Sequence, residues 1–71
     1  MNYTVIIEPD DGVFSVYFPD VPGCFSCGDT YDEAFENAQI ALQEYLSACR
    51  DFGKPIPESK SRAETITVKA S

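Results

Sequence analysis

The chain has 71 residues, twelve Asp and Glu against five Lys and Arg, no histidine, and a formal charge of −7. That length allows a single domain (residues 1–71), and a domain of this size buries only roughly 60% of its unfolded surface, so a partner chain is a natural source of further stability. Without histidine, Ser-His-Asp and Cys-His catalytic sites are excluded within the chain, and no apolar run approaches the roughly 18 residues that a membrane span needs.

The start, Met1-Asn2-Tyr3-Thr4, has neither the basic nor the apolar segment of a signal peptide, so a cytoplasmic location is expected. Charge is unevenly placed. Nine acids precede Arg50 (Glu8, Asp10, Asp11, Asp20, Asp29, Asp32, Glu33, Glu36 and Glu44), with no Lys or Arg among them. All five cations follow: Arg50, Lys54, Lys60, Arg62 and Lys69. Such a body repels nucleic acid, whose binding needs clustered cations, and steers a basic partner toward itself. The plainer reading is a solvated surface that aids solubility.

In chain order, Tyr3 to Glu8 alternates and is rich in β-branched residues, which predicts a strand with Tyr3, Val5 and Ile7 on one face. Pro9-Asp10-Asp11-Gly12 predicts a turn. Val13 to Phe18 predicts a second strand pairing with the first as a hairpin, with Phe14, Val16 and Phe18 forming an apolar face. Pro19-Asp20-Val21-Pro22-Gly23 breaks the ladder, because neither proline can donate a backbone hydrogen bond. Cys24 to Gly28 predicts a short third strand.

A helix is expected from Tyr31 to Phe52. Thr30 is its N-cap, Glu33 completes a capping box, Arg50 suits the C-terminal end of the dipole, and Gly53 and Pro55 terminate it. Tyr31, Ala34, Phe35, Ala38, Ala41, Leu42, Tyr45, Leu46, Cys49 and Phe52 fall on one side; Ile40 points toward the polar side. After a Pro- and Ser-rich connector, Glu64 to Lys69 alternates again and predicts a last strand, brought parallel to an earlier one by the helical crossover. The expected fold is α+β, β-β-β-α-β: one mostly antiparallel sheet on one helix. A single helix covers one sheet face. The other face, with Thr4, Ile6, Val13, Ser15 and Tyr17, is half apolar and has nothing in the chain to cover it, which suggests a protein partner or a dimer.

Few residues offer chemistry. Cys24-Phe25-Ser26-Cys27 is a CxxC, but strand alternation sends its thiols to opposite faces, and only Cys49 remains toward the four ligands of a zinc site. Asp10 and Asp11, with Asp20 or Asp29, could hold a divalent cation in a nuclease-like site; adjacent aspartates before Gly12 are more simply turn formers. No phosphate-binding glycine loop is present. No cofactor and no metal are expected.

The stretch from Tyr3 to Pro57 resembles the HicB family of antitoxins from bacterial toxin–antitoxin pairs. The matching features are Glu8-Pro9, Asp11-Gly12, Phe18-Pro19-Asp20-Val21-Pro22-Gly23-Cys24 and Gly28-Asp29-Thr30. Glu33-Ala34, Asn37-Ala38 and Gly53-Lys54-Pro55-Ile56-Pro57 follow. The resemblance implies a partial RNase H-like fold without RNase H chemistry. It also implies binding and occlusion of a small basic HicA-type toxin, an mRNA-cleaving ribonuclease. Many family members continue into a DNA-binding segment; this sequence ends at Ser71, so contact with operator DNA is not expected.

The reading is therefore a non-catalytic, antitoxin-like binding module. Asp10, Asp11, Tyr17 and Asp20 are the candidate partner-binding residues, and Pro19, Pro22, Gly23, Gly28, Thr30 and Glu33 set the backbone. The alternative is a toxin-independent homo-oligomer, structural or regulatory, assembled through the open sheet face or an edge strand; a stable assembly burying Tyr17 and Ile6 would favour it. A metal-dependent enzyme ranks third, tested by magnesium- or manganese-dependent nuclease activity sensitive to Asp10→Asn and Asp11→Asn.

Overall fold

A computed structural model of the protein describes residues 1–70. Three strands, β1 (Ile6–Asp10), β2 (Val13–Tyr17) and β3 (Phe25–Gly28), precede one helix, α1 (Tyr31–Asp51). The strands form an antiparallel sheet in the order β1-β2-β3, and α1 packs across one face of it. The α+β sheet-on-helix arrangement is the one expected.

The hairpin is tighter than the sequence suggests. Pairing runs through Pro9↔Phe14 and Asp10↔Val13, so the loop is only Asp11-Gly12. Both loop residues have positive φ, 51° and 89°, the pattern of a type I′ turn whose twist matches that of the strands it joins. Alternation from this loop sets Ile7 and Pro9 with their backbone groups facing away from β2. Pro9 can therefore sit in a strand because it lies on the outer edge, where no ladder needs its missing N–H. At the other end β2 stops at Tyr17, opposite Ile6, as the chain turns at Phe18-Pro19. The expected strand at Tyr3–Val5 consequently has no β2 partner, and the ladder begins at Ile6.

The segment from Phe18 to Cys24 folds into two successive turns. Val21 N–H donates to the Phe18 carbonyl (3.1 Å) and Cys24 N–H to the Val21 carbonyl (3.2 Å). Pro19 and Pro22 occupy the positions that favour their fixed φ, and Gly23 follows Pro22 at φ 87°. These turns drive Phe18, Val21 and Cys24 into the core, where they join Val16, Ala34 and Ala38. Tyr3, Val5, Ile7, Phe14, Leu42 and Tyr45 pack around that cluster.

Both ends of α1 are closed as the sequence indicates, with one variation. Thr30 Oγ1 accepts from Glu33 N–H (3.1 Å), but the Glu33 carboxylate reaches back to the N–H of Asp29 (3.1 Å), one residue before the cap. At the other end Phe52 is the cap residue; Gly53 N–H donates to the Arg50 carbonyl (3.3 Å) and Lys54 N–H to that of Cys49 (2.8 Å), a Schellman closure. Small residues let the helix approach the sheet. Ala34 and Ala38 are fully buried, and Gly28 lies so near the helix start that a Cβ there would stand 2.4 Å from Ala34 N. The large residues expected on this stripe divide: Leu42, Tyr45 and Leu46 are half-buried, whereas Tyr31, Phe35 and Phe52 lie exposed on its margins.

The last strand requires correction. Residues 64–69 pair with no strand of this chain, and Ile66 and Val68 are 85% and 83% exposed. The crossover is nonetheless begun. After α1 the connector returns to the N-terminal segment, where Tyr3 Oη donates to the Pro57 carbonyl (2.6 Å), Thr4 Oγ1 to the Ser61 carbonyl (2.6 Å), and Ser59 Oγ to the Asn2 carbonyl. It lies alongside residues 2–4, then departs after Ser61.

Candidate protein-binding face

The face of the sheet turned away from α1 follows directly from the register. Across it run three rows of directly opposed residues: Ile6–Tyr17–Phe25, then Glu8–Ser15–Cys27, then Asp10–Val13. No element of the described chain covers them. Phe25 is 70% exposed and Tyr17 41%, so the first row forms an apolar ridge. The other rows bring acid to one end, where Glu8, Asp10 and Asp11 gather around the hairpin. Ser15 Oγ donates to Asp10 Oδ2 (2.9 Å), which fixes that carboxylate over the face. An apolar ridge with a negative rim is suited to grip a partner that is apolar at its centre and cationic at its margin. Apolar side chains displayed in this manner mark interaction sites when they are contiguous.

Of the four residues singled out as partner-binding, the structure brings three to this face or its rim: Tyr17 in the ridge, Asp10 at the end of β1, and Asp11 in the turn. Asp20 lies elsewhere and is engaged within the chain. Its Oδ2 accepts from the backbone N–H groups of Lys60 (2.8 Å) and Ser61 (2.7 Å), and its Oδ1 from Ser61 Oγ (2.7 Å). The Ser61 backbone and hydroxyl bonds, assisted by the backbone and charge of Lys60, hold the Asp20 carboxyl below its ordinary range and outweigh its partial desolvation. Phe25, the most exposed member of the ridge, is absent from the sequence-derived set. The register supplies what the sequence lacked: with Val16 paired to Ser26, alternation obliges Phe25 and Cys27 to share the face of Tyr17.

The same alternation separates the CxxC thiols. Cys24 is buried in the core and Cys27 is exposed on the open face, with Cys49 buried under the far end of α1. Burial pushes the Cys24 thiol up, away from the reactive thiolate. Among the described residues no three Cys, Asp or Glu side chains converge as a metal cage requires, and no helix is long and apolar enough to cross a membrane.

The fold is an antiparallel sheet backed by one helix, with one uncovered, acid-rimmed face, and comparison with known proteins gives its family. Residues 3–70 match the model of the HicB-like antitoxin of bacterial toxin–antitoxin systems. The chain belongs to that family. It is 42% identical over 71 residues to a UPF0150 protein of Thermoplasma acidophilum, covering 99% of this chain and all of that one. It is 35% identical to Antitoxin HicB 2 of Photorhabdus laumondii, of which it spans about half (52%) while matching along its own whole length. Among solved structures it resembles a chain of a HicA3 and HicB3 toxin–antitoxin complex (TM-score 0.72, 33% identity, 83% of this chain and 70% of that one). It also resembles the N-terminal domain of the Burkholderia pseudomallei antitoxin HicB (TM-score 0.73, 30% identity, 82% and 69%).

Proposed function

We propose that this protein is a cytoplasmic, non-catalytic antitoxin that binds a small basic HicA-type ribonuclease and blocks it by covering its RNA-binding surface. The observation that carries the reading is the uncovered ridge Ile6–Tyr17–Phe25 with its acidic rim. It offers a hot-spot centre and a field opposite in sign to that of an RNA-binding protein. Family membership and the likeness to a HicA–HicB complex support it. Tyr17 and Phe25 anchor the contact; Asp10 and Asp11 meet the toxin's cations; Asp20 acts indirectly, by holding the connector. On this reading the sheet and helix are the retained part of an RNase H-like fold, and the acidic body keeps nucleic acid away.

The test is co-purification with the basic product of a neighbouring reading frame, followed by titration. Binding should weaken as salt rises, and Phe25→Asp should lower affinity more than about tenfold while leaving the helical circular dichroism unchanged. Failure of every adjacent basic protein to bind at low salt, or full affinity in both Phe25→Asp and Tyr17→Asp, rejects the proposal.

A further inference from the structure

The tail of the chain leaves the body beside the open face. Tyr3, Val5 and Ile7 pack on the core, so alternation turns Thr4 and Ile6 to the opposite side of the sheet. Thr4 Oγ1 donates to the Ser61 carbonyl (2.6 Å), and the Asp20 carboxylate accepts the N–H groups of Lys60 and Ser61. The connector is thereby pinned next to the Ile6 end of the Ile6–Tyr17–Phe25 ridge. Ser61 is the last half-buried position. From Arg62 to Ala70 every residue is exposed, and Ile66 and Val68 stand clear of the body.

The tail carries what that face lacks. Ile66 and Val68 alternate with Thr65 and Thr67, so in an extended chain they share one side. Within residues 60–69 the cations Lys60, Arg62 and Lys69 stand against Glu64 alone, and Arg62 Nε already pairs with Glu64 Oε1 (2.6 Å). The face offers the reverse: exposed Tyr17 and Phe25, then Glu8, Asp10 and Asp11, with no cation in its three rows. Reach suffices. The chain from Ser61 to Ile66 extends about 17 Å, whereas the two strand spacings from β1 to β3 amount to about 10 Å. Tethering favours the chain's own tail over a second copy. A linker this short gives an effective concentration on the order of millimolar, which a second copy in dilute solution does not reach.

We propose that residues 62–70 are a strap that folds back over the open face of the same molecule, seating Ile66 and Val68 on the Tyr17–Phe25 ridge with Lys69 on its acidic side, and that a partner must displace it. Only the displacement rests on that face being the partner-binding one; the closed strap is a property of the free chain. Asp20 sets its hinge by fixing Ser61 at the margin of the ridge.

The test uses the full chain alone at low salt, by nuclear Overhauser contacts between methyl groups and aromatic rings. The expected result is contact from the Ile66 and Val68 methyls to the rings of Tyr17 and Phe25, unchanged on dilution. Ile66→Asp combined with Val68→Asp, at two exposed positions, should shift the Tyr17 and Phe25 ring resonances and leave the helical circular dichroism unchanged. Absence of the contacts in the parent, or ring resonances that stay in place in the double variant, overturns the strap. So do contacts that fade on dilution, which would assign the face to a second copy. Contacts to Ile40 and Phe52 in place of Tyr17 and Phe25 also overturn it, in favour of a tail lying on the outer side of α1. None of these results touches the toxin reading, which stands on the affinity lost in Phe25→Asp. Conversely, a seated strap in a chain that binds no basic partner overturns the displacement and leaves the closed strap in place.

Discussion

Gly28 carries a larger share of the architecture than its size suggests. It ends β3 at the point where α1 begins, and the nearest helix atoms occupy the space of a side chain: Ala34 N at 2.4 Å and Ala34 Cα at 2.7 Å from an ideal Cβ. These are backbone atoms of a capped helix, so they yield only if the helix start moves. Gly28→Ala is expected to destabilise the protein by about 1–3 kcal/mol, the usual range for overpacking, read as a lower urea midpoint with an unchanged slope. The thiols give a second residue-scale expectation. Cys27 should react with a soluble disulfide reagent in the native protein at mildly alkaline pH, whereas Cys24 and Cys49 should react only as the protein unfolds. Simultaneous reaction of all three would contradict the burial of the core pair.

At the scale of elements, one carboxylate makes the densest hold on the connector, beside the bonds it shares with residues 2–4. Asp20 gathers two consecutive backbone N–H groups and a hydroxyl, a small anion nest whose donors lie 40 and 41 residues further along the chain. Because its folded pKa is lowered, its contribution is fully present above the ordinary carboxylate range and is lost as pH falls through the depressed folded value. In an acid titration by NMR, the Lys60 and Ser61 amides should move together and lose exchange protection below the ordinary range of aspartate. Asp20→Asn should show faster exchange at these amides already at neutral pH. This contact also marks a limit of reading sequence. Asp20 sits in a Pro-Asp-Val-Pro-Gly run whose local signals all concern turns, and nothing nearby announces a partner so remote. The local devices were legible: the Asp11-Gly12 hairpin, the Thr30 cap and the Gly53 closure each depend on residues within a few positions. The tail shows the converse. Glu64 to Lys69 has the alternation of a strand, but periodicity states a propensity and not a partner, and no strand of the described chain pairs with it.

At the scale of the molecule, the helix is the longest object present. Twenty-one residues span about 31 Å, while the sheet beneath it has strands of only four and five residues. The far half of α1 therefore extends beyond the sheet, and Cys49 is the residue buried there. That explains why Phe52, placed by helical projection on the buried stripe, remains exposed: projection locates a face but cannot say where the surface opposite it ends. The open sheet face was inferable from the count of layers alone. Its most prominent residue, Phe25, required the β2–β3 register, and it was the hidden variable behind the incomplete set of candidate binding residues.

The treatment of the two sheet edges bears on how this protein behaves at high concentration. A chain that displays an alternating, weakly charged tail beside an open sheet has the ingredients of cross-β growth. Growth, however, requires that each added strand present a fresh edge to the next, and here propagation is impeded on both sides. Proline at position 9 leaves β1 a short landing site with no donor beyond Ile7, and the Asn37 amide stops the β3 edge at Cys27. Restoring a donor with Pro9→Val and removing the stop with Asn37→Ala should together convert a clear solution into one that forms thioflavin-positive aggregates, while either change alone should leave an edge that cannot be passed on.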